Sequence, residues 1–524
     1  MTPTDAVLDR IRPETIDAHL RFLSHPLLEG RAPGTRGGDL AAEYVRAQFR
    51  RIGLQPVGGS YFQPVPLVGL TPDPWLSFAF ADGAGVDLPY RDAFVAKAGL
   101  PEPEVEAEGE LVFVGYGISA PEYGWDDYED VDVRGRVLLV RVNDPGTEET
   151  PGFFGGRALT YYGRWTYKYE EASRRGAAGV LLIHTDESAG YGWNVVRTSN
   201  TGEQFDLSGA PEFPLPVKGW ISEAAAAEAL RRAGHDPGEL MRRSEDRGFR
   251  PVPTGIRVRA GVRSRVREVR TANVVGLLPG RDPDGRDEVV LVTSHYDHLG
   301  TGTGDDGARV VYHGAYDNAS GVALMLAAAE AATTLPEPPR RSLLFVSTTA
   351  EESGLLGAEW YARHPLFPLS RTAAELNLDG ANLEGRTRDL APLGADRSEL
   401  GETVREAART EGMTLRADPH PEQGMFFRQD HFPLARAGVP SLALDHGLQY
   451  EEKPEGWGEA WYEEFVTRHY HQPSDAYREG IDYGGAVQQG RVLLRTALAV
   501  ASADRLPDWN PGAEFSRRGE ERGA

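Results

Sequence analysis

The second half of the chain carries an ordered set of polar residues whose types suit metal chemistry. In chain order its members are His295, Asp297, Asp317, Asn318, Glu351, Glu352, Asp379, Tyr470 and His471. Two histidines and three carboxylates are the ligands that a pair of zinc ions needs, and one further carboxylate can act as the base for a metal-bound water. The set therefore predicts metal-assisted hydrolysis.

The runs around these residues predict where they lie. From about residue 271 onward, strand-like runs alternate with helix-like runs, which is typical of an α/β fold with a mainly parallel sheet flanked by helices. His295 follows EVVLVTS, Glu351 and Glu352 follow SLLFVSTTA, and Asp379 follows AAELNL. Because ligands of open α/β sheets bind at the carboxyl ends of the strands, we expect these side chains to share one edge.

Each member, taken alone, also has an ordinary structural explanation. Asp317, followed by NASG, can simply cap the next helix, and a lone histidine at a strand end is usually structural. Glutamate pairs mean little in an acidic chain that has others at 170–171, 451–452 and 463–464. The prediction therefore depends on the order and placement of the whole set.

Composition narrows the class of protein. The 524 residues include 79 acidic and 56 basic side chains, which gives a formal net charge of −23 at pH 7 and argues against nucleic acid or an anionic membrane as the main partner. Cysteine is absent, so disulfides, thiolate metal ligands and cysteine nucleophiles are excluded. The length predicts two or three domains.

Changes in pattern along the chain predict four segments. Residues 1–71 carry two helical patterns, residues 72–262 are β-rich, residues 263–506 alternate strands with helices, and residues 507–524 form a polar tail that we expect to be flexible. We expect the first and third segments to form one discontinuous domain into which the second is inserted.

Five motifs make the chain resemble the M28 zinc aminopeptidases. SHYDHLG resembles the first-histidine motif of that family, HGAYDNASGVALML the bridging-aspartate motif, STTAEESGLLGAEWYA the glutamate pair, LNLDG the second aspartate and YHQPSD the final histidine. The inserted segment, with GELVFVGYGISAPEYGWDDYEDVDVRGRVLLV, resembles a protease-associated domain. The resemblance covers nearly the whole chain and implies a zinc-peptidase domain with an inserted protease-associated domain.

The same resemblance implies which residues hold metal. His295, Asp317 and Asp379 would bind one Zn²⁺ ion. Asp317, Glu352 and His471 would bind a second, so that Asp317 bridges the two ions.

Catalytic and supporting roles also follow from the resemblance. Glu351 would accept the proton of a metal-bound water and pass it to the leaving amine. Asp297 would accept the ring N–H of His295, Asp475 would do the same for His471, and Tyr470 would hydrogen-bond the oxyanion.

Some positions depart from the family pattern. Tyr316 stands where an acidic or small residue is common, close enough to the expected metal site to influence substrate access. Met425, Phe426 and Phe427 are predicted to line an apolar substrate pocket, with packing in the core as the alternative.

The predicted function is removal of N-terminal residues from short peptides. Three alternatives stay open: carboxypeptidase or dipeptidase action in the same site, glutaminyl cyclase-like acyl transfer with one zinc, and a catalytically silent receptor-like scaffold. The sequence as written lacks the apolar run of a signal peptide and any membrane-span pattern, which predicts a cytoplasmic protein, or an exported one if a leader has been removed. Oligomeric state is not predicted.

Overall fold

A computed structural model describes residues 3–150, 152–304 and 307–516. The chain divides into two compact units. The first contains the described residues of Met1–Pro66, Val269–Pro419 and Arg428–Ala524, and the second contains those of Leu67–Glu268 and His420–Phe427. The chain passes from one unit to the other at residues 66–67, 268–269, 419–420 and 427–428.

The secondary structure alternates along most of the chain. The helices are α1 Pro3–Leu8, α2 Pro13–Leu23, α3 Arg36–Arg51, α4 Trp165–Arg174, α5 Asp186–Ala189, α6 Trp193–Ser199, α7 Glu223–Arg232, α8 Pro237–Arg243, α9 Gly321–Ala332, α10 Leu356–Arg363, α11 Leu400–Thr410, α12 His431–Arg436, α13 Trp457–Arg468 and α14 Gly484–Ser502. The strands are β1 Phe62–Ala79, β2 Gly85–Asp87, β3 Phe94–Ala98, β4 Glu104–Phe113, β5 Ser119–Ala120, β6 Trp125–Asp126, β7 Val137–Arg141, β8 Gly179–His184, β9 Gln204–Leu207, β10 Val217–Ser222, β11 Val252–Leu278, β12 Val289–His295, β13 Thr301–Thr303, β14 Arg309–Val311, β15 Ser342–Thr348, β16 Thr372–Asn377, β17 Asp389–Leu393, β18 Thr414–Leu415 and β19 Ser441–His446.

The first unit is built on a mainly parallel sheet. Its strand order is β18-β17-β19-β16-β12-β15-β11, in which the central pairs β19-β16, β16-β12 and β12-β15 are parallel. Strands β17 and β11 run antiparallel to their neighbours β19 and β15. Every residue of β12, β15 and β16 is buried, as expected for a sheet covered on both faces.

Helices cover both faces of this sheet. Alternate residues of a strand point to opposite faces, so neighbouring residues of β12 pack against different helices. Val290 and Val292 of β12 pack in one apolar cluster with buried residues of α2, α3, α9 and α14. Val289 and Leu291 pack in another with residues of α10 and α12. The predicted α/β fold, a mainly parallel sheet flanked by helices, is therefore confirmed.

The second unit contains a run of strands that begins at β11, and it has its own apolar cores. Strands β4, β7, β8 and β10 are parallel, with β11 and β3 antiparallel at the two ends. Buried residues of α7 pack in one apolar cluster of this unit and those of α4 in another. Whether this unit is a protease-associated domain stays a prediction.

The end of the chain packs on the first unit over its described part. Trp509 donates from Nε1 to the carbonyl of Gly438 at 2.9 Å, and Phe515, 7% exposed, lies against Phe432. Residues 507–516, predicted as part of a flexible tail, instead make specific contacts, while residues 517–524 lie outside the described residues. Of the helices in the described residues, none combines the length and apolar character that a bilayer crossing requires.

Candidate metal centre

The parallel strands of the first unit bring the predicted ligands to one edge of the sheet. His295 is the last residue of β12 and lies opposite Thr348, the last residue of β15, from which Glu351 and Glu352 follow. Thr293 lies opposite Asn377, the last residue of β16, from which Asp379 follows. The ends of β12, β15 and β16, which the sequence predicts to carry the ligands, are thus neighbours in space.

Five predicted ligands form one cluster around Asp317. Asp317 Oδ1 lies 3.4 Å from His295 Nε2, and its Oδ2 lies 3.4 Å from His471 Nε2. His295 Nε2 also lies 3.2 Å from Asp379 Oδ1, and His471 Nε2 lies 2.9 Å from Glu352 Oε2. The two oxygens of Asp317 therefore face the two histidines separately, as a bridging carboxylate requires.

These separations suit a metal ion. Zinc binds nitrogen and oxygen ligands at roughly 2.0–2.2 Å in a tetrahedron, whose ligands are then about 3.3 Å apart. The separations of 2.9–3.4 Å between the ligand atoms of the cluster lie close to that value. The side chains are only 2% to 18% exposed, so the site is largely shielded from water.

The electrostatics of the cluster also favour a cation. Burial lowers the pKa of His471, yet Glu352 and Asp317 raise it to about 10 overall. Burial likewise opposes protonation of His295, but Glu351 and its other carboxylate neighbours hold its pKa well above the ordinary value. The carboxylates thus draw positive charge onto the histidines, and a divalent ion would displace those protons on binding.

Glu351 lies beside the cluster rather than between the two histidines. Its Oε2 is 3.9 Å from His295 Nε2, within reach of an ion that His295 and Asp379 would share. Burial raises the pKa of Glu351 well above its ordinary value, although His295 opposes the shift. A buried carboxylate at this distance is suited to accept a proton from a water on the metal.

Asp297 is buried near His295 but makes a different contact from the one predicted. Its carboxylate Oδ1 is 3.7 Å from His295 Nδ1, too far for a hydrogen bond, whereas its backbone carbonyl lies 3.2 Å from that nitrogen. Oδ1 instead accepts from the backbone N–H of Glu351 at 3.1 Å. Asp297 therefore fixes the chain at Glu351 and orients His295 through its carbonyl.

Asn318, next to Asp317, joins three of the ligand-bearing segments. Its side-chain amide donates to Ser294 Oγ at 3.1 Å and to the carbonyl of Leu378 at 3.0 Å, and its Oδ1 accepts from the N–H groups of Gly380 and Gly321. Ser294 precedes His295, and Leu378 and Gly380 flank Asp379. This buried amide sets the spacing of the ligands.

Two tyrosines predicted at the site, Tyr470 and Tyr316, lie close to the ligand cluster. Tyr470 stacks on His471 with ring centroids 3.9 Å apart, and burial together with Asp317 and Glu352 raises the pKa of its hydroxyl well above the ordinary value. Tyr316 is half-buried and its hydroxyl lies 2.8 Å from His446 Nε2. A Cβ placed on Gly380, beside Asp379, would lie 2.8 Å from the Tyr316 ring, so Tyr316 lies next to the ligand cluster.

The three remaining pocket candidates belong to the second unit. Phe426 and Phe427 are 5% and 3% exposed, pack edge to face, and Phe427 contacts Tyr161. Met425 is half-buried. Both phenylalanines are buried. Whether they line a substrate pocket stays a prediction.

Sequence reasoning missed His298. Its Nδ1 lies 2.5 Å from Glu352 Oε1, and the residue is 1% exposed. The spacing of His298 three residues after His295 was a signal that could have identified it.

Asp475 was predicted as a partner of His471, and its carboxylate contacts the chain at the bridging aspartate. It accepts from the backbone N–H of Tyr316 at 2.8 Å and of Asp317 at 3.1 Å. Asp475 thus positions Asp317 through the main chain.

The fold is an α/β sheet whose carboxyl edge carries a ligand cluster suited to divalent metals. Residues 273–497 match the model of peptidase family M28, so the chain contains a domain of that family. The family resemblance seen in the sequence motifs is confirmed.

Relatives with curated names match shorter stretches. The aminopeptidase NAALADL1 of Mus musculus is 33% identical over 141 residues, which is 25% of this chain and 17% of that protein. The vacuolar membrane protease of Penicillium rubens is 37% identical over 108 residues, which is 21% of this chain and 10% of that protein. The chain therefore spans only a small part of the length of these relatives.

Solved structures share the fold over more of the chain. An aminopeptidase from Aneurinibacillus sp. strain AM-1 aligns with 96% of this chain and 97% of its own, at 19% identity and a TM-score of 0.56. A peptidase M28 precursor from Shewanella amazonensis SB2B aligns with 97% of this chain and 99% of its own, at 17% identity and a TM-score of 0.50.

Proposed function

We propose that this chain is a metallopeptidase that removes N-terminal residues from short peptides with two Zn²⁺ ions. The observation that carries the proposal is the division of the Asp317 carboxylate between two histidines, each of which has a second carboxylate beside it. Membership of the matched domain in peptidase family M28 supports peptide hydrolysis. Aminopeptidases among the relatives and solved structures favour action at the N-terminus.

Two ligand sets would hold the ions. His295, Asp379 and Oδ1 of Asp317 form the first, and His471, Glu352 and Oδ2 of Asp317 form the second. When bound, the ions would supply the positive charge that acidifies a water molecule and polarises the scissile carbonyl. Three ligand carboxylates offset three of the four positive charges, which limits the cost of placing the ions in a buried site.

Glu351 is the proposed base. Its carboxylate adjoins the ligand set of His295 and Asp379, and its main chain is fixed by Asp297. Because burial raises its pKa, Glu351 is a stronger proton acceptor than an exposed glutamate. It would take a proton from the attacking water and deliver it to the nitrogen of the leaving amine.

Tyr470 is the proposed hydrogen-bond donor to the oxyanion. Its phenol stays protonated at neutral pH because burial and the acidic neighbours Asp317 and Glu352 raise its pKa. A neutral phenol can donate to an oxygen that becomes negative in the transition state.

The test combines metal content with a set of matched peptides. We expect two zinc ions per chain by elemental analysis, and release of the first residue from a short peptide with a free amine. The same peptide with an acetylated N-terminus should resist cleavage, while amidation of its C-terminus should have little effect. Release of the last residue from the acetylated peptide would instead identify a carboxypeptidase, and a chain that binds no metal would overturn the proposal as a whole.

A further inference from the structure

Arg31 is a fully buried arginine in the loop between α2 and α3. It is 1% exposed, and its guanidinium donates to four main-chain carbonyls. The acceptors and distances are Tyr296 at 2.8 Å, Leu23 at 2.6 Å, His313 at 2.7 Å and Gly314 at 2.9 Å. One side chain thus joins four points of the main chain within the first unit.

The accepting residues stand next to metal-ligand positions. Tyr296 directly follows His295, and Gly314 lies three residues before Asp317. Leu23 is the last residue of α2. The guanidinium therefore connects the end of a helix to the segments that carry the first histidine and the bridging aspartate.

The loop that carries Arg31 is shaped to place it there. Glu29, Gly30 and Arg31 are consecutive residues with positive φ angles of 50°, 71° and 54°. A Cβ on Gly30 would lie 2.2 Å from the carbonyl oxygen of Gly300 and 2.4 Å from that of Tyr312, so only glycine fits. The tight approach holds the loop against two points of the chain that lie between His295 and Asp317.

Arg31 forms no ion pair with a carboxylate among the described residues. Burial lowers its pKa to about 10, while Asp475, Asp297 and other site carboxylates oppose the shift, so it stays protonated at neutral pH. A fixed cation beside the site repels a metal ion, whereas hydrogen bonds that order the ligand segments favour its binding. The two effects have opposite signs and can be separated by experiment.

We propose that Arg31 is a positioning residue of the metal centre, which fixes the segments carrying His295 and Asp317 at the spacing that metal binding requires. The inference rests on the proposed function in that it needs a metal to bind at this cluster. Its geometry depends on the planar fork of five N–H donors in arginine, which the three donors of a lysine ammonium cannot reproduce.

The test compares two substitutions with a matched control. Arg31→Lys keeps the charge and loses most of the hydrogen bonds, and Arg31→Gln removes the charge and keeps a short planar amide. Arg341→Lys is the control because Arg341 is also buried, at 2% exposed, and donates to the carbonyls of Val500 and Ala503. Arg341 precedes β15 at its amino end, the end of that strand opposite to Glu351.

Zinc affinity is measured on metal-stripped protein by competition with a chromogenic chelator, after circular dichroism has confirmed folding. We expect Arg31→Lys to bind zinc about 10- to 100-fold more weakly than the parent chain, the usual effect of losing a residue that supports ligands, and Arg341→Lys to bind as the parent does. Both lysine variants should lower the unfolding temperature, so a loss of stability alone does not count as support.

Two results would overturn the inference. The first is parent-like zinc affinity in Arg31→Lys, and the second is equal weakening in Arg341→Lys. Arg31→Gln takes the place of Arg31→Lys if the latter does not fold. Because it also removes the repelling charge, we expect a smaller weakening than in Arg31→Lys, but still an affinity below that of the parent chain. A parent chain that binds no zinc would contradict the proposed function instead, which keeps the two failures distinct.

Discussion

Glu351 and Glu352 are adjacent residues that the structure directs to different tasks. Glu352 contacts His471 and His298 through its two oxygens, at 2.9 Å and 2.5 Å, which is the setting of a ligand. Glu351 approaches only His295 among the site histidines, at 3.9 Å, and its main chain is fixed by Asp297.

The first prediction separates these roles. Glu351→Gln should lower kcat at least about 100-fold, the low end of what a general base contributes, while zinc content stays at the parent level. Glu352→Gln should lower zinc content itself, measured by elemental analysis after dialysis. Near-normal turnover in Glu351→Gln would remove Glu351 from the role of base, and loss of zinc in that variant would make it a ligand.

His298 contacts the second ligand set through the carboxylate of Glu352. Its Nδ1 faces Glu352 Oε1, whereas its Nε2 is buried with no hydrogen-bond partner among the described residues. A ring held in this way can donate one N–H to the carboxylate and fix its orientation.

A pair of substitutions tests that support. His298→Asn keeps a donor close to the position of Nδ1, and His298→Leu removes it. We expect the leucine variant to bind zinc about 10- to 100-fold more weakly, as is usual when a partner of a metal ligand is lost, and the asparagine variant to bind close to the parent. Equal affinities in the two variants would show that the hydrogen bond to Glu352 does not matter.

Residue types and spacing predicted the cluster but not how its members support one another. His295, Asp317 and Asp379 follow or precede recognisable apolar runs, so their common edge could be read from the chain. Asp297 was misassigned because the sequence does not show whether its carboxylate or its carbonyl meets the His295 ring. Arg31 could not be found, since its four acceptors are main-chain carbonyls of residues up to 283 positions away.

At the scale of elements, Asn318 sets the positions of strand ends relative to one another. Its four hydrogen bonds reach the end of β12, the chain on both sides of Asp379, and the start of α9. The sheet itself was predictable from alternating runs, but this tie between its strands depends on one buried amide. The contact of Trp509 could not be predicted either. Trp509 lies in the segment predicted to be flexible, but its indole N–H donates to the carbonyl of Gly438.

Replacing Asn318 by leucine should destabilise the first unit. The substitution keeps the branching and the number of side-chain heavy atoms. It leaves the Gly380 and Gly321 N–H groups without their acceptor and the Leu378 carbonyl without one of its donors, and each unsatisfied buried group costs roughly 1–3 kcal/mol. Urea unfolding measures the change, with Asn194→Leu at an exposed position as the control. A variant as stable as the control would show that the strand ends do not need this amide.

At the scale of the whole molecule, the chain folds as two units with separate cores. The first contains the clusters around α9 and around α10 and α12, and the second contains those around α4 and α7. Length and changes of pattern predicted an insertion. They could not predict that the segment His420–Phe427 returns to the second unit, because its contacts, such as the hydrogen bond from the Leu159 N–H to the Pro421 carbonyl at 2.9 Å, join residues far apart in the chain.

Metal removal should therefore act on one unit and not on the other. All the proposed ligands lie in the first unit, so bound zinc stabilises that unit alone, by about 4 kcal/mol when free zinc exceeds its dissociation constant a thousandfold. Scanning calorimetry with and without a chelator should show two transitions, of which only one moves to lower temperature on chelation. A single transition that shifts as a whole would mean that the units unfold together, and two transitions that both stay in place would mean that the ligand cluster holds no stabilising metal.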